Sequence, residues 1–407
     1  MINSGERGFN LPTFSDTEKA RRWGRVRELM RAVGLDAVIG FPNQSQWDHF
    51  QADVRYLTQI GGNQTEVAVV FPLEGDVTAI VRGRNEVEWW GIAQNWVTDI
   101  RASNRSWAEP TIARLKELGL QKGRIGISGL SGLARAPEGV IPSGILDKLY
   151  AALPDARFET ATELMQDARS VKGPEEVEFV RRSCGLLADA MVAVRREARV
   201  GVRENVVMAA IWQAIIAGGG DYPSMTHWGA GDGEVPWGTR IAPHRPLQAG
   251  DMINLELEAK TGGYIAQTAQ ALRLGAFSNS HRHSFEVSRD LFGTLTDFMR
   301  PGVTFREVVA LYQSEVKKSG LVAKGMLLHG RGLGEDRPLI SGESDVRGTS
   351  QSKHLDLPLQ ENNVFILKPG AMPPDAADSI RCGDMVVITK TGAERLGRMP
   401  FELHELP

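Results

Sequence analysis

The sequence predicts two domains, an α/β domain followed by an α+β domain, and three observations carry that prediction. At 407 residues the chain exceeds what one hydrophobic core usually organises, and 42% hydrophobic content is enough for two. Helical and strand signals alternate through the first part, whereas the second carries long amphipathic helices and longer strands. Between them lies a turn-rich join, 167–174, before the acidic helix start Glu175, Glu176 and Glu178. The domains are accordingly placed at 1–168 and 169–407.

In the first part, Ser15 and Glu18 have the spacing of a capping box, and Trp23, Val26, Met30 and Val33 recur at helical intervals until Gly34. A strand is expected at 36–41, with others at 67–71, 77–81 and 124–128, and helices at 86–94 and 110–118. In the second part, helices are expected at 175–197, 204–217, 281–299 and 305–319, the last opened by a capping box of Thr304 and Glu307. Strands should run at 252–260, 264–274, 364–368 and 385–389.

The composition excludes several classes. A net charge of −3 and a pI near 6.3 give no long-range attraction for nucleic acid or an acidic membrane surface. Cys184 and Cys382 make no disulfide framework, no apolar leader comes after Met1, and the most apolar stretch, 206–217, is too short to span a bilayer. These features suit a cytoplasmic protein acting on a small molecule.

The most informative segment is the strand pair at 250–268. In its first strand Ile253, Leu255 and Leu257 alternate with Asn254, Glu256 and Glu258, so two carboxylates share one face. A Gly250-Asp251 turn leads into that strand, a Gly263-Tyr264 turn leads into the next, and Gln267 stands eleven positions after Glu256. Further on come His329-Gly330-Arg331-Gly332-Leu333, then Lys368-Pro369-Gly370 after a hydrophobic strand, and Arg381-Cys382-Gly383-Asp384.

This frame resembles the pita-bread enzymes, the prolidase, aminopeptidase P and creatinase family, across essentially both domains. The resemblance implies a creatinase/prolidase-like N-terminal α/β domain and a pita-bread catalytic domain. It also implies five positions for ligands to a dinuclear metal centre. Here those positions hold Glu256, Gln267, His329, Lys368 and Gly383, and His329 alone matches the family residue. An amide, an ammonium and a missing side chain do not serve hard divalent ions, so neither a metal nor another cofactor is expected. Glu256 and Glu258 would instead be balanced by Lys368 and Arg381, with Glu256, Glu258, Lys368 and His329 as the candidate catalytic groups.

The metal-free relatives are only partial guides. Creatinase places a basic histidine where this chain has Trp237, and its creatine-binding glutamate falls at Ala269. Ectoine hydrolases resemble this chain in placing a glutamate at the position of Glu256. Trp228 and Trp237 flank a loop expected to roof the cavity, suiting an aromatic or cationic substrate. Arg381, Tyr264, Gln267 and Asp336 complete the expected binding set. In this family one subunit's first domain can close over its neighbour's site, so a homodimer is expected, with Asn63 and Gln64 reaching substrate. His227 and His244 read as loop residues. The leading activity is hydrolysis of a C–N bond; a lyase releasing a small fragment such as formaldehyde, and a non-catalytic binding module, are the alternatives.

Overall fold

The computed structural model describes residues 11–43, 51–62, 65–232, 243–342, 354–374, 380 and 382–407. The chain divides into two compact units, Met1–Glu175 with Leu333–Glu335, and Glu176–Gly332 with Asp336–Pro407. No helix among the described residues is long and apolar enough to cross a membrane.

The first unit alternates helix and strand as its sequence pattern requires. It begins with α1 (Asp16–Val33), β1 (Ala37–Gly40), α2 (Ala52–Thr58), β2 (Val67–Pro72), β3 (Thr78–Val81) and α3 (Arg84–Ala93). It continues with β4 (Asp99–Ala102), α4 (Ala108–Glu117), β5 (Arg124–Ile127), α5 (Ser143–Ala152), β6 (Arg157–Thr160) and α6 (Thr162–Ser170). The strands form one mixed sheet in the order β4-β3-β2-β1-β5-β6. Ile39, Val70 and Ile125 pack there with Leu115 of α4 and Leu149 of α5. Gly34 ends α1 in the left-handed region, φ +75°, where a side chain would be strained. The expected capping box at Ser15 is only half formed. Its hydroxyl accepts the Glu18 N–H, but the buried Glu18 carboxylate turns to Arg21 and Arg22 instead. Helix α6 also runs into the segment expected to be a turn-rich join.

The second unit opens with α7 (Pro174–Glu197, whose first two residues belong to the first unit), α8 (Glu204–Ala217), β7 (Thr226–Gly231), β8 (Met252–Thr261) and β9 (Tyr264–Leu274). Then come α9 (Asn279–Phe298), α10 (Phe305–Lys318), β10 (Val322–Ala323), β11 (Met326–Gly330), β12 (Leu339–Ser341) and β13 (Val364–Leu367). The last elements are β14 (Ala371–Met372), β15 (Asp384–Ile388), β16 (Ala393–Arg395) and β17 (His404–Leu406). Strand β7 departs from the sequence pattern, which reads its residues as a loop, because two glycines and a polar mixture obscure the alternation.

Two sheets shape this unit. One has the order β17-β9-β8-β7 and the other β12-β11-β13-β15-β16. The β8–β9 hairpin turns through Gly262 and Gly263, both at positive φ, and the Gly263 N–H is tied to Asp221 at 2.6 Å. Its apolar face is covered by helices: Ser183 of α7 donates to the Tyr264 carbonyl, and Trp228 of β7 donates to Glu204 of α8. In the second sheet Phe365 and Leu367 pack on Phe305 and Tyr312 of α10, leaving Ile366 and Lys368 to the opposite face. Thr304 and Glu307 form the complete capping box expected for α10. A bridge between Ala269 and Gly383 joins the two sheets.

Candidate active site

That bridge places five residues in one row. Lys368 and Gly383 extend the β13–β15 ladder by one step beyond the Leu367–Asp384 pair. Gly383 is opposite Ala269, Ala269 is opposite Glu256, and Glu256 is opposite His227. Residues opposite one another on neighbouring strands share a face. Lys368 and Glu256 are therefore three strand spacings apart, each about 4.8 Å, with only a methyl group and a hydrogen atom between them.

The lysine stem crosses that gap. Its Nζ donates to Glu256 Oε1 at 3.1 Å, and both side chains are more than nine-tenths buried. The passage depends on Gly383. A Cβ placed there would stand 2.5 Å from Lys368 Cγ, closer than carbon atoms approach, and a tight 3.2 Å from its Cβ. The position that the family resemblance assigns to a ligand glutamate is thus filled by the side chain of Lys368.

The other oxygen of Glu256 is held by Gln267, whose Nε2 donates to Oε2 at 3.0 Å. The Gln267 carbonyl oxygen in turn accepts from Arg331 at 3.0 and 3.3 Å, which fixes the orientation of the amide. Arg331 also pairs with Glu258 at 2.5 Å, both fully buried, and Ser224 donates to the second oxygen of Glu258 at 2.8 Å. Two ion pairs, Lys368 with Glu256 and Arg331 with Glu258, are thereby joined through one amide. Buried charges are tolerated when paired and hydrogen-bonded in this way. Among the described residues no group of three or more His, Cys, Asp and Glu side chains is disposed to hold a metal ion.

His329 lies on β11 opposite Ile366, on the face shared with Lys368, and is buried. Its Nδ1 is 3.4 Å from the Gly330 carbonyl. Asp336 is also buried, with its carbonyl oxygen against Gly330, where a Cβ would meet it at 2.5 Å.

Several expected site residues stand elsewhere. Trp228 is opposite Leu255, so strand parity turns it from Glu256 toward α8, where its indole N–H bonds Glu204 at 2.6 Å. It does not roof the carboxylates, and half of the argument for an aromatic or cationic substrate goes with it. Tyr264 likewise alternates away from Gln267; its hydroxyl donates to Glu176 and its ring packs on Phe179 of α7. Trp237, Arg381, Asn63 and Gln64 lie outside the described residues. A cation paired with Glu258 is Arg331, a residue to which the sequence pattern assigns no role. A signal is nonetheless present, since Arg331 stands two residues after His329 and shares its face by strand alternation. His227, which reads as a loop residue, is in β7 directly across from Glu256 and half-buried, whereas His244 is an exposed loop residue.

The profile of the metallopeptidase family M24 matches residues 178–390, and that of the Creatinase/Prolidase N-terminal domain matches residues 22–171. Creatinase from Bacillus sp. is 23% identical over 98% of this chain and 95% of its own length. Xaa-Pro dipeptidase from Pyrococcus furiosus is 22% identical over 65% of this chain and 74% of its own. The prolidase structure from Pyrococcus horikoshii OT3 superimposes with a TM-score of 0.73 at 19% identity, covering 94% of this chain and 99% of that one. The X-Pro aminopeptidase structure from Thermotoga maritima gives 0.76 at 18% identity, covering 94% and 99%. The fold is thus the pita-bread domain preceded by its N-terminal α/β partner.

Proposed function

The chain belongs to the metallopeptidase family M24, and from that membership we propose that it is a metal-independent enzyme that hydrolyses a C–N bond of a small, non-peptide molecule. One observation carries the reading: Lys368 Nζ sits on Glu256 at 3.1 Å, its stem lying over the side-chain-free Gly383. Where the resemblance calls for anionic oxygens around two cations, this chain has an ammonium, a neutral amide and no side chain. Hard divalent ions require several oxygen donors, and the fixed positive charge of Lys368 opposes them further. The donor set does not fit the metals, and no step is routed through them.

The residues present suit a different division of labour. Glu256, oriented by Lys368 and Gln267, is positioned to take a proton from an attacking water. Lys368 and Arg331 supply positive charge where negative charge develops on the substrate carbonyl, inside a buried face where such charge acts strongly. His329 lies on β11, on the face shared with Lys368.

The test is to incubate the purified protein, with and without chelator, with a panel of acyl amides, cyclic amides, ureas and Xaa-Pro dipeptides in ¹⁸O-labelled water. Label is expected in one product of a non-peptide amide or urea. Cleavage without incorporated label would establish the lyase alternative, in which a bond breaks without water. Cleavage confined to Xaa-Pro dipeptides and lost in chelator would overturn the reading, and binding without turnover would favour a non-catalytic module.

A further inference from the structure

His227 closes the row on the side away from Lys368. It is directly opposite Glu256 on β7, the edge strand of its sheet, where opposing Cβ atoms lie about 4.5–5.5 Å apart. The next residues of β7 on the same face are Gly229 and Gly231, so within β7 His227 alone presents a side chain there. It is half-buried, whereas Glu256, Glu258, Gln267 and His329 are buried. The charged groups of this face are Glu256, Glu258 and Lys260 on β8, with Arg331 and Lys368 just past β11 and β13 and, farther along, Arg273 on β9 and Glu405 on β17. Four of them are committed to two ion pairs. An imidazole changes charge near neutrality, and this one combines a place directly across the strand pair from Glu256 with access to solvent.

We infer that His227 is the general acid of the reaction, a role that rests on the hydrolytic reading above. As Glu256 takes a proton from water, the C–O bond forms. Protonated His227 then gives its proton to the departing nitrogen as the C–N bond breaks. The proton left on Glu256 returns to His227 across the strand pair, so both groups are reset and one water is consumed. The substrate class is an amide or urea whose nitrogen is too basic to leave unprotonated.

The test compares the wild type with His227→Gln on the amide that incorporates label and on its p-nitroanilide counterpart, whose electron-poor nitrogen leaves with far less help from an acid. Loss of about 100-fold in kcat on the amide, with a far smaller loss on the anilide, is expected. Equal losses on both substrates, or none on the amide, would overturn the assignment. A second measurement needs no substrate. The ¹⁵N ring resonances of His227, identified by their absence in His227→Gln, should shift between wild type and Glu256→Gln. Unchanged resonances would remove the pairing on which the role depends, whatever the substrate panel shows. A wild type that turns over no panel compound but shows the shift would count against the hydrolytic reading alone.

Discussion

At the scale of the residue, the site is governed by what Gly383 lacks. Lys368 reaches Glu256 only because positions 383 and 269 carry almost no side chain. Gly383→Ala should therefore displace the ammonium from Glu256 and cut turnover strongly while the protein remains folded; unchanged kcat would show that the contact is dispensable. Lys368→Met should abolish turnover and lower stability by about 3–5 kcal/mol, because it leaves Glu256 buried without its cation. The double variant Glu256→Gln with Lys368→Met should regain much of that stability in denaturant unfolding, since no unpaired charge remains. Both thiols are inert by the same reasoning about burial. Desolvation raises Cys184 well above the usual thiol range and pushes Cys382 up to about 12. A higher pKa means less thiolate at pH 8, so iodoacetamide should label neither until the chain unfolds.

At the scale of the element, alternation and caps are the legible signals, and glycine and paired charge the illegible ones. The β8–β9 hairpin, the apolar face of β8 and the capping box of α10 arise from patterns in the sequence. Thr304→Ala should cost about 1 kcal/mol in thermal or denaturant unfolding, the usual worth of such a cap. Strand β7 is hidden because glycines at 229 and 231 remove the very side chains that would mark its period, and the placement of His227 and Trp228 is hidden with it. At α1, burial works to raise the Glu18 carboxyl, but the Arg21 and Arg22 interactions outweigh it and hold it below the ordinary range. A depressed folded pKa stabilises the native state above the unfolded carboxyl value, and that stability is lost as pH falls through the folded one. The destabilisation by Glu18→Gln should accordingly be full at pH 7 and shrink below about pH 4.

At the scale of the whole molecule, family and fold are legible in the frame of short motifs, since turns and strand faces survive even where ligands are exchanged. The site is partly legible: Glu256, Gln267, Glu258 and Lys368 meet on one face, but a cation paired with Glu258 there is Arg331, a residue of the His329–Leu333 stretch to which the motif assigns no role. Pairing between sheets depends on the Ala269–Gly383 bridge, a contact between distant parts of the chain that no local pattern encodes. On the reading proposed above, the charge of this face is balanced by its own side chains, Lys368 with Glu256 and Arg331 with Glu258, in place of bound ions. The direct test is metal analysis of the purified protein, with turnover measured before and after exhaustive chelation. Substoichiometric manganese, cobalt, zinc and iron with unchanged turnover is the predicted result. One or more equivalents of a divalent ion per chain, with activity lost on its removal and restored on its return, would contradict the account.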